Sequence, residues 1–213
     1  MKKLLGLFAL LYLAVPSGAM AQTACGGVNF VPSAGVSCLL EPTAPTYAAT
    51  GIAIVSASSA TDVACLTGSA TKVVRLQYVK VSGTAGTLVN VPITLRKNAS
   101  ADTGGTAATS TALPVPYPVD SANAAASATT TAYTANPTIN DTTPGLIDSS
   151  VAVFTATGTL AGNTGVTFDY RGRLYSQAPI LRGVAQQICV NFNATTVSSG
   201  VTSITFNWTE LGS

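Results

Sequence analysis

The chain has 213 residues, 47% of them hydrophobic and only 8% charged, against about 25% charged in an average soluble protein. Ten basic and eight acidic side chains leave a net charge of +2, which gives no electrostatic basis for nucleic-acid binding. Histidine is absent, and this excludes Ser-His-Asp and Cys-His hydrolysis together with any zinc site that contains His.

The chain opens with the pattern of a secretory signal peptide over residues 1–21. Lys2 and Lys3 form the basic start, residues 4–15 the apolar stretch, and Ala19-Met20-Ala21 the small-residue cleavage site. Pro16, Ser17 and Gly18 break the run before it reaches the ~20 residues of a membrane span, so the expectation is export without membrane insertion of the mature chain. Cleavage removes both lysines, leaving eight basic and eight acidic groups. The expected location is secreted, periplasmic or cell-surface, with a virion as the alternative.

Residues 22–50 read as an N-terminal arm and residues 51–213 as one domain. Four cysteines follow the signal: Cys25, Cys38, Cys65 and Cys189. An even count in an exported chain predicts two disulfides, with three connectivities open. Cys25 with Cys38 would close a short loop in the arm, and Cys65 with Cys189 would join two strands distant in sequence. The lack of CxxC and of histidine argues against a metal site.

From residue 51 onward, segments of alternating apolar and hydroxyl residues are separated by Gly, Asn, Pro or Asp clusters, the pattern of an antiparallel sandwich. Strands are expected at residues 51–56, 62–68, 72–82, 88–96, 127–134, 146–154, 165–170, 179–183, 187–193 and 203–209. Within 72–82 the apolar phase shifts between Val74/Leu76 and Val79/Val81, which predicts a bulge near Gln77 and Tyr78. The connection over residues 82–86 suits a hairpin to the next strand, whose Val89, Val91, Ile93 and Leu95 face the core. Pro92 in that strand points to an edge position or a bulge. Residues 98–145 are rich in Ala, Thr, Ser, Gly and Pro. Asp120 or Ser121 could cap a short helix over 122–126, and Pro114, Pro116 and Pro118 suggest an extended surface strip. Cys189 lies opposite in phase to Ile188, Val190 and Phe192, so a disulfide there lies on an outer face unless that face is also covered. The sum is an all-β, jelly-roll-like antiparallel sandwich of about nine or ten strands.

No motif names a reaction, a cofactor or a metal. Ser69-Ala70-Thr71-Lys72 matches S-x-x-K but enters a strand instead of opening a helix, which favours a turn. The eight acids are scattered singly, and Asp62, Asp102, Asp120, Asp141, Glu41 and Glu210 lie in or beside turns or termini, where capping explains them. Asp169 and Glu210 are the carboxylates to test for glycoside chemistry. The loops Asp102-Thr103-Gly104-Gly105 and Asn140-Asp141-Thr142-Thr143-Pro144-Gly145 are oxygen-rich, but Asx-turns account for them more simply than Ca²⁺ does. One local charge concentration, Arg171, Arg173 and Tyr175 with Arg182 nearby, is the candidate ligand or partner contact. Its simpler reading is a strand connection whose arginines pair with Asp169 or Glu210.

The segments at residues 66–75, 132–137 and 181–191, with the final Trp208-Thr209-Glu210, resemble a group of mostly uncharacterised bacterial and metagenomic β-proteins often found near phage or prophage structural genes. The resemblance implies a virion-associated or surface-displayed β-protein and carries over no catalytic residue. The functional expectation is a non-enzymatic, exported structural or adhesive surface protein that associates with itself, a surface or a particle. A phage decoration or fibre subunit is the alternative, and a carbohydrate-active or glycan-binding protein the second.

Overall fold

The computed structural model describes residues 44–54, 59–112, 114–141, 143, 145–156, 164–172 and 177–212. Twelve strands follow in order: β1 (Thr46–Ile52), β2 (Asp62–Thr67), β3 (Lys72–Gly83), β4 (Val89–Asn98), β5 (Thr106–Ala107), β6 (Tyr117–Pro118), β7 (Thr129–Ala135), β8 (Gly145–Phe154), β9 (Val166–Asp169), β10 (Ile180–Arg182), β11 (Gln187–Asn191) and β12 (Thr202–Gly212). They form two six-stranded antiparallel sheets. The first runs β10-β3-β12-β1-β6 with β9 also on β3, and the second β5-β7-β2-β11-β4-β8. The expected signal peptide, Cys25, Cys38, Arg173 and Tyr175 lie outside the described residues.

The core is what the alternation demands. Leu76, Val79 and Val81 of β3, Ile204, Phe206 and Trp208 of β12, Val91, Ile93 and Leu95 of β4, and Ile188 and Val190 of β11 are all fully buried in one cluster. Each such side chain contributes about 1.5–3 kcal/mol through removal from water. The expected bulge is present: Asn207 pairs with Tyr78 and Trp208 with Leu76, so Gln77 is the extra residue on β3. It also divides the other edge of β3, with β10 pairing residues 73–75 and β9 pairing residues 78–81.

Four expectations are corrected. The 82–86 connection is no hairpin, because β3 and β4 belong to different sheets. Its N–H groups instead go to other segments, Thr84 to the Val201 carbonyl and Gly86 to the Ser198 carbonyl. β4 is interior, between β11 and β8. Pro92 is tolerated because its carbonyl, and hence its nitrogen, faces the side where β11 has already ended and Asn193 Nδ2 donates instead, at 3.1 Å. No helix forms at 122–126. Asp120 caps a turn through the Ala122 N–H, and the N–H groups of Ser127 and Ala128 are drawn to Glu210. Finally, β1 begins at Thr46, inside the expected arm, and is paired on both sides by β12 and β6. Only Tyr47 and Ala49 mark its inner face, too few apolar residues to announce a strand.

The proline strip is the edge strand β6. Val119 N–H donates to Thr46 O, so by alternation Pro116 and Pro118 present their nitrogens to the open edge, where no N–H is left to pair with another chain.

Candidate functional site

The outer face of the second sheet holds an enclosed polar cluster built on a disulfide. Cys65 and Cys189 stand directly opposite on β2 and β11, bonded at 2.09 Å, and both are fully buried. The alternation that sends Ile188 and Val190 to the core sends Cys189 outward, and that face is covered as well. Tyr133 of β7 packs on the two sulfurs. Asp102 lies on the strap that follows β4, and its Oδ2 is 3.8 Å from Cys65 Sγ.

Asp62 reaches this face through a second bulge. Asn191 pairs with Asp62 but Val190 with Ala64, so Val63 is extra and Asp62 turns onto the same face as Cys65. Asp62 is fully buried. Its Oδ1 accepts from Asn191 Nδ2 at 2.9 Å and its Oδ2 from Asn98 Nδ2 at 3.0 Å. The same Asn98 amide donates to Asp102 Oδ1 at 3.2 Å, so one NH2 group serves two carboxyl groups. The strap is pinned by Gln187 Oε1, which accepts from Asp102 N–H at 2.9 Å, while Gln187 Nε2 donates to Thr67. Gly104 and Gly105 turn the strap with φ of +65° and +69°, and a Cβ at Gly105 would meet the Ala135 carbonyl at 3.0 Å.

The electrostatics follow from that crowding. Burial, then the charge and hydrogen bond of Asp62, push the Asp102 carboxyl up to about 7. Burial and the same two carboxylates push Tyr133 up to about 12. The sulfurs are bonded to each other and are not thiolate ligands, so the donor set for a cation reduces to two carboxylates and one amide.

A second buried carboxylate sits on the core side of the first sheet. Glu210 accepts from Ser127 N–H, Ser127 Oγ at 2.6 Å, Ala128 N–H at 2.9 Å and Trp208 Nε1 at 3.1 Å. Burial acts to raise it, but these donors win and hold it below the usual carboxylate range. Tyr47 stacks on Trp208 at 5.8 Å and donates its hydroxyl to the Ala124 carbonyl, closing the same corner.

The residues singled out in the sequence separate. Arg171 forms an exposed ion pair with Asp169 at 2.5 Å and lies over the Tyr78 ring at 5.0 Å, so the simpler reading of that charge cluster holds for it. Arg182, exposed on β10, pairs opposite Val73, whereas Arg171 sits by Tyr78, five positions or ~17 Å along β3. These two arginines do not form one patch. Asp169 and Glu210 lie on strands flanking opposite sides of β3, and the oxygens of Glu210 are already occupied, so they make no carboxylate pair. Ser69 Oγ accepts the N–H groups of Thr71 and Lys72, both at 3.1 Å, which is the turn reading of S-x-x-K. Asp141 makes the Asx-turn to Thr143. The capping explanation fails for Asp62 and Glu210, which are buried.

No family model, no curated protein and no solved structure matches this chain. Among the described residues no helix is long and apolar enough to cross a membrane. The disulfide is compatible with an oxidising compartment.

Proposed function

We propose that this protein is an exported, non-enzymatic structural or adhesive surface module that associates with copies of itself. The observation that carries the reading is the surface row Val115, Tyr117 and Val119, exposed by 62%, 67% and 62% beside the first sheet. Three apolar side chains aligned on one edge, in a chain with few charges to repel a neighbour, favour lateral association. The prolines of the same strip remove edge donors, so contact would run through side chains and not through an added strand. The signal-peptide pattern and the disulfide support export.

Light scattering coupled to size-exclusion chromatography tests this directly. Concentration-dependent oligomers that Tyr117→Ser and Val119→Ser abolish are expected; a strict monomer at millimolar protein would overturn self-association. The phage-particle reading rests on the four sequence blocks quoted above. Mass spectrometry of purified particles that lack this chain would end it.

A further inference from the structure

We propose that Asp102 holds a proton beside the buried Asp62, and that this proton seats Asp102 over the Cys65–Cys189 disulfide; losing it opens the disulfide to solvent. The two carboxyl groups bring oxygens within 4.8 Å of one another and both lean on the Asn98 amide, and Asp62 beside it is fully buried, so an ionised Asp102 meets a like charge with no cation among the described residues to offset it. The groups that face them are Asn98 and Arg96 from β4, Gln187 and Asn191 from β11, Thr67 from β2 and Tyr133 from β7. Arg96, opposite Cys189, directs its guanidinium to Asn193 Oδ1 at 3.3 Å, and among the described residues neither carboxyl forms an ion pair. Neutralisation therefore falls to a proton, and the burial of Asp102 beside Asp62 places its release near neutrality.

The two carboxyls differ in freedom. Asp62 is tied to Asn98 and Asn191 inside the sheet. Asp102 is partly exposed, on a strap with a two-glycine turn, so it is the partner that moves outward when both are charged. Its Oδ2 is the atom lying against Cys65 Sγ, and its departure uncovers that sulfur.

The test is the rate of disulfide reduction by a water-soluble phosphine, which takes oxygen from water while the S–S bond takes up two electrons and two protons. Rates at pH 5.5 and 8.0 are each divided by that of a small unstructured disulfide. The proposal expects a rise of about tenfold or more in the wild type, following the ionised fraction of a group titrating near 7, and none in Asp102→Asn. A flat wild-type ratio, or an equal rise in the variant, would overturn it. Should Asp102→Asn fail to fold, the carboxyl ¹³C titration of the wild type decides: an Asp titrating near 7 is expected, and all Asp titrating below 5 would overturn the proposal. Loss of the pH effect in millimolar Ca²⁺, restored by EDTA, would assign neutralisation to a cation and overturn it as well.

Discussion

Glu210 and the Asp62–Asp102 pair are both carboxylates taken out of water, and the fold treats them in opposite ways. Glu210 meets donors from Ser127, Ala128 and Trp208 and is held as an anion. Asp62 and Asp102 share one Asn98 amide and push against each other. The ratio of donors to charges, more than depth of burial, separates a carboxylate that fastens a structure from one poised to change it. Glu210 fastens the loop before β7 to the end of β12; the Asp pair sits over the one disulfide among the described residues.

The largest expected effect removes the floor of the Asp site. Cys65→Ala/Cys189→Ala opens a bond that spans 124 residues and should cost about 4–5 kcal/mol in urea denaturation, leaving the acid sensitivity due to Glu210 in place. Next is Glu210→Ala, which strands buried donors of Ser127, Ala128 and Trp208 and should cost ~3 kcal/mol, with Glu210→Gln losing about half as much. A comparable cost for both would mean that charge, not donor count, is what the site needs. Smaller again is Asp102→Asn. Discounted for the partial exposure of the strap, it should stabilise by about 1 kcal/mol at pH 8, by roughly a third as much at pH 5 and by nothing measurable at pH 3. The smallest is Arg171→Ala, whose exposed pair with Asp169 should leave the urea midpoint unchanged.

Most of this fold was legible because the sequence alternates so regularly. The Gln77 bulge could be read from the phase shift between Leu76 and Val79, and the outward phase of Cys189 from its neighbours. Glu210 was legible too: it has the parity of Phe206 and Trp208, so the alternation that buries the tryptophan buries the glutamate. Its position near the C-terminus suggested solvent instead. Asp62 was not legible. Its parity matches Ala64 and Leu66, and only the Val63 bulge, set by pairing with β11, turns it to the Cys65 face. Asp102 meets Asp62 across a strap and a strand pairing that local pattern does not encode, and the two-residue strands β5 and β6 are too short to show alternation. Residues 82–86 have the composition of a turn, but Ser82 and Gly83 continue β3 and Ala85 bridges to Ala156, and such composition does not say whether the next strand joins the same sheet.

The two carboxylate sites predict opposite pH linkages, so one curve tests the contrast: unfolding free energy of the wild type from pH 3 to 9. Glu210, held below its ordinary 4.5, contributes stability that is present above that value and is lost as the pH falls through its folded value. Asp102, raised from 3.8 to about 7, binds its proton more tightly when folded, so stability falls as the pH rises between those values. The account predicts a maximum near pH 4 and a decline from there to about pH 7 that Asp102→Asn removes. Stability that stays level or climbs from pH 5 to pH 8 would contradict it.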